Sequence, residues 1–406
     1  MLKKTDYVTA RSLLLDAVKP VETERIALSK SGGRILAQDL IAAESIPPFD
    51  RSPYDGYAFR AVDTVGASKE TPVVLRILEE VSAGCVPTVT VTEGTAVKLL
   101  TGAPIPMGAD AVVMYERTEF TRETVTIFSP ASSGDNIVYI GEDIHKGTVL
   151  ARRGDVIDPG IAGTLASQGI AAPVVYRVPR VGILSTGSEL VEADEASWLG
   201  PGKIRNSNRH TLEAALKVLG CESVYLGIAG DSAKEICALI KKGLVECDAV
   251  ISTGGVSVGD CDLTPDAMEL AGVKLLFQGV DMKPGMACAC GVYGGKPVCG
   301  LSGNPASALT NFYAIALPAL RKLMGRRNPL LRQIKVTLAN DFSKKSPKTR
   351  FLRGKLELND GKVYMLLPED QGNAVLSSTI GCDVMAIVPE GSGPVSAGME
   401  LEGFLL

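Results

Sequence analysis

The 406-residue sequence is poor in the side chains that build metal and disulfide sites. It has two histidines, His145 and His210, far apart along the chain, and nine cysteines with no CxxC pair. An odd number of unpaired cysteines argues against a disulfide framework or a zinc ribbon. Two isolated histidines give neither a histidine metal site nor a Ser-His-Asp triad. We therefore expect free thiols and a reducing, cytoplasmic location.

The sequence also lacks an excess of charge and a long apolar run. It has 42 Lys and Arg against 46 Asp and Glu, a net charge of −4. Interspersed charges of both signs exclude a bulk electrostatic surface for nucleic acid or an anionic membrane. No stretch approaches the roughly 20 apolar residues of a membrane span, and the N-terminus lacks a signal-peptide core.

What the chain does have is ample apolar material, with 46% hydrophobic residues. Its length exceeds the roughly 250–300 residues of one hydrophobic core, so we expect several domains. Residues 1–44 and 141–177 form a mixed N-terminal layer, and residues 45–140, with short β runs between turns, form a β-rich domain inserted into it. Residues 178–327 alternate strands and helices, which predicts an α/β sandwich around a parallel sheet. In residues 328–406 the hydrophobic residues alternate with polar ones, which predicts strands of a small β-barrel-like domain.

Three loops that follow strands of the α/β domain share glycine and hydroxyl residues. Ligands of parallel sheets bind beyond the carboxyl ends of the strands. Glycine allows close backbone approach, while hydroxyls and main-chain N–H groups can hold phosphate oxygens. Each loop alone could be an ordinary tight turn, but three on one edge predict a phosphate site. Its candidate residues are Ser185, Thr186, Gly187, Ser252, Gly254, Gly255, Ser257, Gly303, Asn304 and Pro305.

Acidic residues gather on the same predicted edge, at Glu189, Asp231 and Asp262. Carboxylates beside phosphates repel them unless a divalent cation lies between, and Mg²⁺ is normally held by one or two carboxylates, phosphates and water. The pattern therefore indicates a Mg²⁺-dependent phosphoanhydride site. Two simpler interpretations stay open, because Asp231 could cap a helix and Asp262 could cap the helix near Thr264.

Further candidate site residues lie on other segments, and their spacing in the sequence does not show that they lie close together in the fold. Lys283 lies in a tight turn, and Arg353 could offer a guanidinium to an oxyanion, with hydroxyls from Ser377 and Ser378. Asp55 and Thr101 stand at the centres of two loops of the inserted domain that are rich in turn-forming residues.

Nine motifs in order make the whole chain resemble the molybdopterin molybdenumtransferase family, which includes the gephyrin E domain. The resemblance implies four domains and a homodimer with an active cleft shared between the sheet domain of one subunit and the inserted domain of the other. The motifs are PPFDRSPYDGYA, LTGAPIPMGADAVV, GEDIHKGTVL, ILSTGSEL, ISTGGVSVGDCD, KPG, GNPASAL, FLRG and PEGSGPVSAGMELEGFLL.

The resemblance also implies a reaction. Molybdate enters the dithiolene of adenylylated molybdopterin, Mg²⁺-dependent hydrolysis of the adenylate releases AMP, and a molybdopterin adenylyltransferase is a possible partner. By motif match, Lys283, Arg353 and Ser377 or Ser378 hold molybdate, and Glu189, Asp231 and Asp262 hold Mg²⁺. The positions linked to catalysis are Asp55, Thr101, Asp143, Glu189, Asp231 and Asp262.

The chain departs from the family pattern at three places. The family commonly reads KPGKP, where this chain has Met286 in place of the second lysine, so one cation next to the oxyanion is missing. Arg51 replaces a usual asparagine and could compensate, and GLSGNP, with Ser302, replaces GLPGNP. The alternatives are a tungstate-inserting enzyme or a drifted paralogue that serves as a non-catalytic scaffold. A molybdopterin adenylyltransferase is disfavoured by the flanking segments 1–177 and 328–406.

Overall fold

The computed structural model describes residues 1–195, 199–256, 263–359 and 361–406. The chain folds into two compact units. The first unit comprises Met1–Gln38, Arg153–Pro159 and Ala172–Leu406, and the second comprises Asp39–Arg152 and Gly160–Ala171. The four-domain division is finer than these units and stays a prediction. Among the described residues, no helix has the length and apolar character needed to cross a membrane.

A seven-stranded sheet forms the α/β part of the first unit. The four strands predicted from the alternating pattern are parallel to one another, while Ala289–Tyr293 runs antiparallel to both of its neighbours, so the sheet is mixed. In spatial order the strands are Leu2–Thr5, Lys274–Val280, Ala289–Tyr293, Lys296–Leu301, Ala249–Thr253, Arg180–Thr186 and Glu222–Ala229.

Helices cover both faces of this sheet, as predicted. Successive residues of one strand, Ile183 and Leu184, belong to different apolar clusters because strand side chains alternate between the two faces. The helices are Tyr7–Ala17, Ser207–Leu219, Ala233–Glu246, Leu263–Leu270, Pro305–Asn311 and Leu317–Leu323, with the π-helical turn Phe312–Ala316 between the last two.

The C-terminal strands of the first unit close into a barrel, which confirms the predicted β-barrel-like segment. The barrel is closed because pairing runs from Thr349–Asn359 through Lys362–Leu366, Gln333–Leu338 and Glu400–Leu405 to Val384–Val388, which pairs back with Thr349–Asn359. Its interior contains Val336, Leu352 and other apolar residues. The barrel strands are Gln333–Leu338, Thr349–Asn359, Lys362–Leu366, Val384–Val388 and Glu400–Leu405, and the short strand Met282–Lys283 adds to Thr349–Asn359.

The second unit contains a six-stranded sheet with its own apolar core, in agreement with the predicted β-rich insertion. Tyr57, Phe59 and Val125 are buried at its centre. In spatial order its strands are Ala111–Met114, Gly56–Phe59, Thr95–Leu99, Val73–Val81, Thr124–Ile127 and Thr118–Phe120. Outside these sheets, the first unit has the strand pairs Thr23–Arg25 with Val174–Tyr176 and Leu190–Val191 with Ile204–Arg205, and the second unit has the pair Leu40–Ile41 with Val149–Ala151 and most of the helix Pro159–Ser167. Short 3₁₀ helices lie at Leu28–Lys30, Ala61–Thr64, Tyr115–Arg117 and Leu376–Thr379.

Candidate functional site

A cavity of about 690 Å³ opens at the carboxyl edge of the seven-stranded sheet. Its walls come from the loops that follow four parallel strands, which is where open α/β sheets bind ligands. The structure therefore brings together most of the phosphate and acidic candidates. Those on the cavity wall are Thr186, Gly187, Glu189, Asp231, Gly254, Gly255, Gly303, Asn304 and Pro305.

The Gly254–Gly255 turn has a backbone that only glycine adopts without strain. Gly254 has φ +90°, and a Cβ atom there would lie 2.6 Å from the carbonyl oxygen of Thr186. Thr264, in the first turn of the next helix, donates its hydroxyl to the Gly254 oxygen at 3.1 Å and its N–H to the Gly255 oxygen at 3.1 Å. The turn is thus fixed by the helix that follows, and its backbone is open to a ligand.

Two of the predicted phosphate-binding serines lie inside the sheet and not on the cavity wall. Ser185 is fully buried and donates to the side-chain oxygen of Asn206 at 3.1 Å. Ser252 is also buried, and its hydroxyl has no hydrogen-bond partner among the described residues. Ser185 therefore contacts Asn206, which lines the cavity, and does not line the cavity itself. Ser257 and Asp262 lie outside the described residues.

The start of the helix Ser207–Leu219 forms part of the cavity wall, and the apolar spacing of the sequence does not predict it. Asn206 is its N-cap residue, and Asn208 donates its amide to the Gly303 oxygen at 2.8 Å, which ties this helix to the third glycine loop. The signal is present, because Asn206-Ser207-Asn208 before an apolar helical pattern is a typical helix start. The apolar spacing alone predicts a start at Arg209, which is too late.

A polar network behind Asn206 holds this helix start in place. Glu192 accepts hydrogen bonds from the Tyr225 hydroxyl and from Arg209, the latter at 2.8 Å. The Arg209 guanidinium also stacks 3.8 Å from the centre of the Tyr225 ring. Burial favours the neutral acid, but the hydrogen bonds from Tyr225 and Arg209 outweigh it and lower the pKa of Glu192. Glu192 is therefore charged at neutral pH and forms an ion pair with Arg209.

Glu189 and Asp231 are exposed carboxylates on the cavity wall. The Glu189 carboxylate folds back over Gly187, where a Cβ atom would clash with it. The N-cap of the helix after Asp231 is Ser232, so the interpretation of Asp231 as a helix cap is wrong. Across the described ranges, no group of three or more His, Cys, Asp or Glu side chains forms a metal site. Two carboxylates nevertheless suit a cation whose other ligands are phosphate oxygens and water.

Asn304 occupies the predicted N-cap position of the helix Pro305–Asn311, with Pro305 as its first residue. Its side chain makes no capping hydrogen bond and lies on the cavity wall. Its backbone N–H instead bonds the hydroxyl of Ser302 at 3.3 Å. The serine of GLSGNP therefore shapes the third loop.

Among the described residues, Arg353 is the largest side chain that is fully buried, and two of its guanidinium nitrogens have no hydrogen-bond partner there. Its Nη2 donates to the Ser378 hydroxyl at 3.0 Å and to the Gly372 oxygen at 3.3 Å. Its Nε and Nη1 have no hydrogen-bond partner in the part of the chain that the structure describes. Burial lowers the pKa of this guanidinium. An unpaired buried cation is costly, and an anion would satisfy it.

The other oxyanion candidates lie on segments that reach the same cavity. Lys283 and Ser377 are exposed, while Ser378 is buried and donates to the Val375 oxygen at 2.5 Å. Ala287, close after Lys283, and Leu376, directly before Ser377, both line the cavity. Lys283, Arg353, Ser377 and Ser378 themselves are not among its lining residues.

In the second unit, Asp55 and Thr101 lie together. The backbone N–H and the hydroxyl of Thr101 donate to one oxygen of Asp55 at 2.6 and 2.7 Å. These two hydrogen bonds lower the pKa of Asp55. Asp143 is exposed, and its N–H bonds the oxygen of Ile46. Arg51 has a buried Nε without a hydrogen-bond partner among the described residues, and its contact with an oxyanion stays a prediction.

Three family models match successive parts of the chain. They are the MoeA N-terminal region (domain I and II) over residues 5–169, the probable molybdopterin binding domain over residues 182–322, and the MoeA C-terminal region (domain IV) over residues 335–406.

Curated relatives and solved structures match nearly the whole chain. A molybdopterin molybdenumtransferase of Staphylococcus aureus (strain COL) is 37% identical over 373 residues, 92% of this chain and 88% of that protein. One of Staphylococcus epidermidis is 36% identical, covering 93% and 90%. The crystal structure of the molybdopterin biosynthesis moeA protein from Pyrococcus horikoshii OT3 matches with a TM-score of 0.86 and 33% identity, covering 99% of this chain and 100% of that one.

Proposed function

The chain belongs to the molybdopterin molybdenumtransferase family of molybdenum cofactor biosynthesis, and we propose that it inserts molybdate into adenylylated molybdopterin, with Mg²⁺-dependent hydrolysis of the adenylate and release of AMP. The observation that carries the proposal is the cavity itself, where backbone loops suited to phosphates and two exposed carboxylates share one wall. The full-length relatives disfavour the adenylyltransferase alternative.

The glycine loops and helix start would bind the phosphates of the substrate. The Gly254–Gly255 turn has no side chains and so allows close approach of a ligand, and the N-terminus of the helix Ser207–Leu219 offers main-chain N–H groups and a favourable dipole for anions. The hydrogen bond from Asn208 to Gly303 connects this helix start to the glycine loop before Pro305–Asn311. The phosphates are therefore positioned by a rigid edge of the sheet, which fixes the scissile bond relative to Glu189 and Asp231.

The residues on the wall fit Mg²⁺. Glu189 and Asp231 supply hard oxygen ligands, and phosphate oxygens and water would complete the coordination, with Asp262 as the third proposed ligand. When bound, Mg²⁺ would neutralise phosphate charge and assist cleavage of the phosphoanhydride. Without it, two carboxylates would repel the substrate phosphates. Glu189 and Asp231 are thus proposed to act through a cation and not as free bases.

The oxyanion would be held by Lys283, Arg353 and Ser377 or Ser378. Arg353 supports this because its buried Nε and Nη1 lack partners among the described residues and suit a tetrahedral oxyanion. Ser378 already accepts one guanidinium bond and donates to the backbone, so its proposed role is to orient Arg353. The exposed Ser377 would then be the direct hydroxyl ligand.

Asp55, Thr101 and Asp143 are proposed to complete the catalytic set, since they match the family motifs. We further propose the four domains given above, a cytoplasmic homodimer, and a molybdopterin adenylyltransferase as the enzyme that supplies the substrate. The eight described cysteines are free thiols, which supports a reducing location. Light scattering checks the homodimer, which requires twice the mass of one chain.

The proposed metal ligands are tested by measuring AMP release as Mg²⁺ is titrated. Glu189→Gln and Asp231→Asn should each raise the Mg²⁺ concentration needed for half-maximal rate by about tenfold, because each removes one charged ligand. Glu246→Gln is the control, since Glu246 is exposed and lies at the end of a helix away from the cavity wall. Full activity with unchanged Mg²⁺ dependence in both cavity variants would contradict the assignment.

A parallel titration distinguishes molybdate insertion from the two alternatives, tungstate insertion and a non-catalytic scaffold. Molybdate and tungstate are added separately to the same assay, and the oxyanion that stimulates AMP release identifies the metal. A wild-type protein that releases no AMP with either oxyanion would indicate the drifted paralogue.

A further inference from the structure

A second lysine lies beside the chain reversal 281–287, called the turn below, which begins with the short strand Met282–Lys283. The ammonium nitrogen of Lys348 is 3.2 Å from the sulfur of Met286 and 2.7 Å from a carboxylate oxygen of Asp281. Met286 and Asp281 flank Lys283 in the sequence, whereas Lys348 is more than 60 residues away. The chain therefore brings a cation from another segment to the side chain at position 286.

The sheet register fixes this placement. Met282 pairs with Thr349 and Lys283 with Arg350 in a parallel ladder. Asp281 and Lys348 directly precede these two strands, so continuing the ladder sets them opposite each other. Lys348 thus reaches the turn because of strand pairing, and its position does not depend on a mobile surface contact.

The charges around Lys348 leave the site positive. Asp281 is shared, because the ammonium of Lys4 also lies 4.0 Å from it. The thioether of Met286 is only a weak hydrogen-bond acceptor and carries no charge. Two ammonium groups against one carboxylate, with the exposed Lys283 nearby in sequence, leave net positive charge next to the turn. The Lys348 side chain is 27% exposed, so an N–H group can reach a ligand from solvent.

We propose that Lys348 is a further binding residue for the oxyanion, supplying beside Met286 the second cation that the turn itself lacks. The inference rests on the proposed function, because it extends the oxyanion site of Lys283 and Arg353. Ala287, next to Met286, lines the cavity, which places the turn at its wall. A lysine ammonium acts as a point charge, which suits a tetrahedral dianion such as molybdate.

The test is the affinity of the full chain for molybdate, measured by equilibrium dialysis at low and at physiological ionic strength. Lys348→Gln should weaken binding by about 3- to 10-fold at low ionic strength, with a smaller loss at high salt because screening weakens exposed charges. Lys344→Gln, on the same segment and exposed, should bind within about twofold of wild type.

A second variant separates an oxyanion ligand from a structural ion pair. Met286→Lys, added to Lys348→Gln, returns a cation to the same place and should restore most of the lost affinity. Unchanged affinity in Lys348→Gln would overturn the proposal and leave Lys348 as the partner of Asp281. Failure of Met286→Lys to restore binding would contradict the shared position of the two cations.

The result for wild type distinguishes this inference from the function on which it rests. Wild-type binding with an unaffected Lys348→Gln variant overturns the role of Lys348 alone. A wild-type chain that binds no molybdate overturns the oxyanion site itself, and with it both claims.

Discussion

At the residue scale, the carboxylate of Asp55 shows how one neighbour sets a protonation state. Thr101 donates two hydrogen bonds to it, through the backbone and the hydroxyl, and both stabilise the charged form. The pKa of Asp55 is therefore lowered. Stability linked to this group is present above its unfolded pKa and is lost as pH falls through the lower folded pKa.

Replacing Thr101 by Val should raise the pKa of Asp55, while leaving it below the ordinary value. The change removes the hydroxyl donor and keeps the backbone donor, which is the first cause of the shift. The stability that Asp55 loses on acidification is then smaller than in wild type, and the loss is complete at a higher pH. Carbon-13 NMR titration of labelled aspartate measures the shift, and an identical titration curve would contradict it.

In the absence of an anion, the buried Arg353 side chain is expected to lower the free energy of unfolding. Arg353→Met removes a buried guanidinium with unpartnered nitrogens, so the free energy of unfolding should rise by about 1 kcal/mol while molybdate affinity is lost. Denaturant unfolding and equilibrium dialysis measure the two effects.

Arg350→Met is the matched control for Arg353→Met. Arg350 is also buried, but it donates to the Ser346 hydroxyl at 2.9 Å and to the Lys345 oxygen at 3.0 Å, and it lies over the Phe342 ring. Its loss should lower the free energy of unfolding by about 1–2 kcal/mol. A larger loss in Arg353→Met than in Arg350→Met would refute the view that Arg353 is held for a ligand.

At the element scale, the loop after Ala249–Thr253 depends on one backbone conformation. Gly254→Ala places a Cβ atom at φ +90° and against the Thr186 oxygen, so the free energy of unfolding should fall by about 2–3 kcal/mol. Gly163→Ala is the control, because Gly163 lies in the helix Pro159–Ser167 with open space around it. That change should be neutral or stabilising by up to about 1 kcal/mol. Equal effects at the two positions would contradict the role of the turn.

Sequence periodicity predicted the elements whose burial follows a regular pattern. Four parallel strands of the α/β sheet are apolar runs bounded by turns, so the sequence predicts them together with the loops that line the cavity. The strand Leu2–Thr5 was missed because its LKKT sequence is mostly exposed at the sheet edge. The alternating pattern also does not predict Lys274–Val280 and Ala289–Tyr293, which precede Lys296–Leu301 with no helix between the three strands.

Across the whole molecule, pairing between strands that are distant in sequence determines contacts that the local sequence pattern does not predict. Period-two segments after residue 328 predict a barrel-like domain, and the ring of strand pairings that returns from Val384–Val388 to Thr349–Asn359 closes it. The same strand also pairs with Met282–Lys283, which brings Lys348 to Met286. No local signal in the sequence indicates that proximity, since it depends on register between segments more than 60 residues apart.

The proposed reaction couples binding of an oxyanion to cleavage of an adenylate. AMP release from adenylylated molybdopterin, with saturating Mg²⁺ and with or without molybdate, tests it most directly. We expect release that depends on Mg²⁺ and is stimulated by molybdate. AMP release that is the same with and without molybdate or tungstate, or no release at all, would contradict the account.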